Sequence, residues 1–82
     1  MLEFLFAVEQ TIMIPDRGLV LIGGPRTKDI QYKSRLKLVL PDKTEIHTEV
    51  WGEGAFENFA IAVDNSIQKQ QVPIGTEAWL CD

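Results

Sequence analysis

His47 is the only histidine of the chain, and it stands between Glu45 and Glu49 at a spacing of two. On a strand that spacing puts all three side chains on one face, where an imidazole and two carboxylates could meet a divalent ion. Zinc, however, wants a closed tetrahedral set, and the sequence offers no fourth ligand beside these three. The expectation is a solvated polar face opposite Ile46, Thr48 and Val50. Cys81, the single cysteine, has no second thiol to bridge and no base near it in sequence to activate it. It reads as a packed or incidental thiol rather than a nucleophile. Ser34 and Ser66 lack any elbow or triad context. Gly23-Gly24-Pro25 is a loop and not a phosphate cradle, because no helix follows to supply an N-terminus. No catalytic, cofactor or metal site is expected, and the chain reads as a non-enzyme.

Recognition chemistry is better represented. Five of the eight basic residues (Arg26, Lys28, Lys33, Arg35, Lys37) fall in one short stretch with a single acid, Asp29. That stretch carries +4, so the remainder carries −8 to give the total of −4. Tyr32 lies among these cations and could stack a base in a single-strand RNA site. The net negative charge argues against generic binding to a phosphate backbone. Asp42, Glu45, Glu49, Glu53 and Glu57 follow the basic stretch. Such polarity suits a two-signed surface for a protein partner, or simply the solvated faces of strands. Trp51, Phe56 and Trp79 are the aromatics that matter. In a strand register running from His47, Trp51 points outward near one end of the fold, and Phe56 sits in a glycine-rich loop. They are either interface anchors or caps on the open ends of a small core.

These side chains must be positioned by short strands. At 82 residues and 9.3 kDa the chain forms one domain, residues 1–82, with a thin core. Phe4, Phe6, Val8, Ile12 and Ile14 share a face at period two, with Gln10 the one polar member. Pro15-Asp16-Arg17-Gly18 supplies turn chemistry, and Leu19 to Ile22 returns as an antiparallel partner. Leu36, Leu38 and Leu40 alternate inward. Pro41-Asp42-Lys43 turns the chain into Ile46, Thr48 and Val50. Gly52-Glu53-Gly54 is expected to break that ladder. Phe59, Ile61 and Val63 form a fifth strand and Ala78 to Cys81 a last one. No window has a helical period with caps. Six strands in so short a chain avoid exposed edges by closing. The predicted class is therefore all-β, a small closed six-stranded antiparallel barrel. No apolar run approaches the roughly 18 residues of a membrane span. The opening Met1 to Val8 lacks a basic flank and carries Glu3, so it does not read as a signal peptide. A cytoplasmic location is expected.

The run from Phe4 through Glu9, Arg17 and Gly18 to Val20 resembles the opening hairpin of the second domain of elongation factor Tu and of similar barrels in other translational GTPases. That family places an apolar residue before Glu, then an apolar-rich stretch, a turn ending Arg-Gly and a second apolar strand, with the same spacing as Glu9 to Arg17-Gly18. Leu36-Lys37-Leu38, Phe59 to Val63 with Ile67, and Pro73-Ile74-Gly75-Thr76 are similar to its later parts in order. The departures are Asp16 where the family has glycine, Gln10 where it often has Asp, and Ser34 where it tends to have glycine. The chain has no Gly-x-x-x-x-Gly-Lys-Ser/Thr motif, so GTP hydrolysis is not expected of it. The resemblance implies a closed six-stranded barrel that binds and relays rather than catalyses. In elongation factor Tu that barrel helps hold the aminoacyl end of transfer RNA.

Two functions are therefore expected. The first is a non-catalytic module that binds a protein partner through Trp51, Phe56 and the basic stretch. A bacterial inhibitor or immunity-type protein is one version, and a self-associating form another. The alternative is an RNA-end binder using Arg26, Lys28, Tyr32, Lys33 and Arg35.

Overall fold

The computed structural model describes residues 2–54 and 57–81. Phe56 therefore lies outside the described residues. The strands are β1 (Leu2–Ala7), β2 (Gln10–Ile14), β3 (Gly18–Gly23), β4 (Arg35–Val39), β5 (Glu45–Glu53), β6 (Phe59–Val63) and β7 (Glu77–Cys81), with a 3-10 turn at Lys69–Gln71 before β7. They form one antiparallel sheet in the order β1-β7-β4-β5-β6-β3-β2. The all-β expectation holds.

The opening segment departs from its period-two reading, and this turns six expected strands into seven. Phe6 and Val8 are buried, but Phe4, Ile12 and Ile14 stand 48%, 40% and 37% exposed. Two local events shift the phase. The β1–β7 ladder slips between Phe4 and Phe6, so Leu5 is an extra residue and the chain kinks there. Then at Val8 and Glu9 the chain changes partner. The Val8 N–H donates to the Thr76 carbonyl (2.7 Å) and its own carbonyl accepts from Gly75 N–H (2.9 Å), while Glu9 N–H donates to the Ile22 carbonyl (2.8 Å). Past that switch Thr11, not Ile12, faces the core. One bent segment thus supplies both ends of the sheet order. Among the described residues no ladder joins β1 to β2, so the hydrogen-bonded sheet is open where a closed one was expected.

The turns follow from their residues. Pro15 presets φ, Asp16 takes a positive φ of 69°, and Arg17 N–H closes the turn on the Ile14 carbonyl at 3.0 Å. Gly18 has φ of 94°, and a Cβ there would collide with the Val63 backbone carbonyl on β6. Gly18→Ala combines a left-handed backbone with that collision, and is expected to lose about 1–3 kcal/mol, read as a lower urea midpoint at unchanged slope. Between β4 and β5, Asp42 accepts from the Thr44 N–H at 2.9 Å. Hydrogen bonds from the Thr44 side chain and then its backbone hold the Asp42 carboxyl below its ordinary pKa.

The core is the inner face of the sheet. Leu36 and Leu38, and Phe59, Ile61 and Val63, alternate inward as expected, and Leu19 and Leu21 join them, all essentially inaccessible. Phe6 stacks on Phe59 at 5.0 Å between ring centroids and 21° between planes, linking β1 to β6. Glycine does not break β5. Gly52 pairs with Ala62, and the register slips only between Val50 and Gly52, so the strand absorbs Trp51 as a bulge and continues to Glu53. Among the described residues no helix is long and apolar enough to cross a membrane.

Candidate functional site

The basic stretch is largely a structural strap. It runs from the end of β3 to β4 and inserts Ile30 into the core. The Glu53 carboxylate, whose side chain is only 8% exposed, anchors it. Glu53 accepts from Arg26 Nε (3.0 Å), from Arg26 Nη2 (3.2 Å) and from the Ile30 N–H (3.0 Å). Arg26 also pairs with Asp29, and Lys28 with Glu3 at 2.9 Å. The Glu53 hydrogen bonds, opposed by partial burial and aided by Asp29, raise the Arg26 pKa above the ordinary arginine value. Lys37 reaches Glu45 at 3.7 Å, and Arg35 sits opposite Glu49 in the β4–β5 register. Tyr32 stands apart at 66% exposure, with Lys33 Nζ 5.7 Å from its ring centroid. The Lys33 N–H donates to the Val50 carbonyl at 2.7 Å, which brings this pair against β5 beside Trp51.

The outer face of the other half of the sheet is apolar. Ile12 faces Val20, Val20 faces Ala62, and Ala62 faces Gly52, a rung across β2, β3, β6 and β5. The next rung continues from Ile22 to Ala60, whose carbonyl accepts from the Gly54 N–H at 2.9 Å. Trp51 stands at the end of this face, 39% exposed. Ile14, Val20, Trp51, Gly52, Ala60 and Ala62 line a depression of about 600 Å³, with Asp16 and Arg17 on its rim. A Cβ on Gly52 would meet nothing within 4 Å, so the floor of the depression is open space above glycine and alanine.

Sequence reasoning found Trp51 but missed the rest of this face. Its signal was present in Leu19-Val20-Leu21-Ile22 and in Phe59-Ala60-Ile61-Ala62-Val63, where the outward positions are apolar too. A strand facing water on one side normally alternates with polar residues.

The second half of the sheet has a mixed outer face. Phe4 meets the edge of Trp79 at 5.3 Å and 70°, and Trp79 Nε1 donates to Glu77 at 3.2 Å. Leu2, Arg35, His47, Glu49 and Cys81 line a shallower depression of about 540 Å³ there. His47 Nε2 lies 3.6 Å from Glu45. Among the described residues no three His, Cys, Asp or Glu side chains come together as a metal set. Compared with known proteins, the chain matches no protein-family model, no curated protein and no solved structure.

Proposed function

We propose that this chain is a non-catalytic binding module which engages a protein partner through the outer face of β2, β3, β5 and β6. The observation that carries the reading is the four-strand rung from Ile12 to Gly52 with Trp51 at its end. Contiguous outward apolar residues with a half-exposed tryptophan are the surface chemistry of an interface. The reading includes a small barrel similar to the second domain of elongation factor Tu. What supports closure is that β1 and β2, the two ends of the sheet order, are consecutive pieces of one segment. A cytoplasmic inhibitor or immunity-type role is its concrete form, in which a chain of net charge −4 neutralises a basic partner.

The test is quantitative capture of partner from nuclease-treated extract on the wild-type chain and on Trp51→Ala. Loss of an anchor of this kind costs about 2 kcal/mol or more, so retention of the partner is expected to fall at least tenfold, with an unchanged circular dichroism spectrum. Equal retention by both chains defeats the reading.

RNA-end binding is the second reading, favoured by the exposed Tyr32 with Lys33 over it. Against it, Arg26 and Lys28 are already committed to acids. Charge reversal at Lys33 and Arg35 separates the two. RNA affinity would collapse, whereas a complex anchored on Trp51 would weaken only modestly.

A further inference from the structure

The Trp51 depression has a size and a rim charge that select its occupant. We infer that it receives a short, extended apolar segment of a partner protein, flanked by Lys or Arg. This rests on the protein-partner reading above and makes it specific.

Size decides first. Strands lie about 4.8 Å apart and successive outward residues about 6.7 Å, so two rungs over four strands cover on the order of 200 Å². A stable dimer needs roughly 800 Å² on each partner. A second copy packed on this face alone falls well short of that. An extended segment of about five residues spans about 16 Å, close to the width of four strands. The open space above Gly52, walled by Trp51 and Ile14, accepts one large apolar side chain of that segment.

Charge decides the flanks. Asp16 stands on the rim, Glu57 lines a neighbouring depression with Ile22 and Ala60, and Glu9 is exposed where its N–H meets Ile22. Among the described residues none of these three acids is in an ion pair, since the acids so engaged are Glu3, Asp29, Glu45 and Glu53. Arg17 is the one cation among the residues that line the main depression. The acidic charge therefore lies at the Ile22–Ala60 end of the apolar floor, with Glu9 and Glu57, while Asp16 and Arg17 offset each other at the Ile14 end. A partner segment with a cation beside its apolar residues, set against Glu9 and Glu57, satisfies both parts, while an acidic segment meets like charge there.

The experiment uses the intact chain and three blocked pentapeptides free of tryptophan. The first has leucine, phenylalanine and leucine between two lysines. The second exchanges the lysines for glutamates, and the third replaces the apolar residues with serines. Binding is read by tryptophan fluorescence and by amide shifts at Gly52, Ala60 and Ala62 in low salt. The first peptide is expected to bind, the second at least tenfold more weakly, and the third not at all. Gly52→Val fills the floor without a backbone penalty, because its Cβ meets nothing, and should cut affinity for the first peptide at least tenfold. Should that variant lose its fold, Trp51→Ala replaces it, with the same expected loss.

No binding of the first peptide at millimolar concentration overturns the inference, and so does equal binding of the glutamate peptide. Unchanged affinity in the folded variant does the same. A concentration-dependent dimer abolished by Gly52→Val would assign the face to a second copy and likewise overturn it. A partner that is captured through Trp51 while the first peptide fails overturns the inference alone and leaves the function standing.

Discussion

Phe59→Ala is expected to remove about 3–5 kcal/mol of stability, the range for deleting a buried phenylalanine from a core that cannot collapse around the gap. Phe59 is fully inaccessible and stacks on Phe6 at 5.0 Å. Its ladder partner is Gly23, where a Cβ would strike both the Ala7 carbonyl and the Phe6 ring. The surrounding backbone is therefore already as close as it can come, and little relaxation is available to fill the void. A domain of this length has a total stability of roughly 4–12 kcal/mol, so the variant is expected to lose a large fraction of the whole. Urea denaturation followed by far-ultraviolet circular dichroism reads this directly. A loss below about 1 kcal/mol would mean that the two rings do not share a packed core.

Glu53→Ala is the second large effect. The substitution removes the acceptor of the Ile30 N–H and two of the hydrogen bonds of Arg26. A buried N–H left without a partner costs about 1–3 kcal/mol by itself, and the strap that carries Ile30 into the core loses its anchor with it. Glu53→Gln keeps an amide oxygen for the Ile30 N–H and is expected to lose less. Hydrogen exchange at the Ile30 amide, measured beside the urea midpoint, identifies the cause. Exchange should accelerate strongly in the alanine variant and only slightly in the glutamine variant. Equal exchange in all three chains would show that the strap is held by something other than this carboxylate.

The parts of the fold that were legible in the sequence are those governed by local periodicity. Leu36 and Leu38 alternate inward because their strand is paired on both sides without a bulge, and Phe59, Ile61 and Val63 do so because the one bulge in their ladders falls on β5 and leaves β6 regular. The opening segment defeated the same rule. A slip after Phe4 and a change of partner at Val8 reverse which residues face the core, and neither event has a signature in residue type. The consequence reached the site. Ile12 and Ile14 share a period-two face with Phe6 and Val8 in the sequence, yet they belong to the outer face beside Val20 and the Trp51 depression. The basic stretch was legible as a cluster of charge. That Arg26 and Lys28 are tied to Glu53 and Glu3 was not, because those pairs join residues 27 and 25 positions apart.

The pairing of β1 with β7 also sets an order of events in time. Ala7 meets Glu77 at the inner end of that ladder, so about 70 residues must be looped out before its first rung can form. Loop-closure entropy makes this cost on the order of 4 kcal/mol, against about 1.5 kcal/mol for the short β4–β5 connection. The hairpins β2–β3 and β4–β5 can form early, whereas the β1–β7 seam must wait for the rest of the sheet. Folding is then slow for so small a chain, on the millisecond-to-second scale of proteins rich in distant contacts.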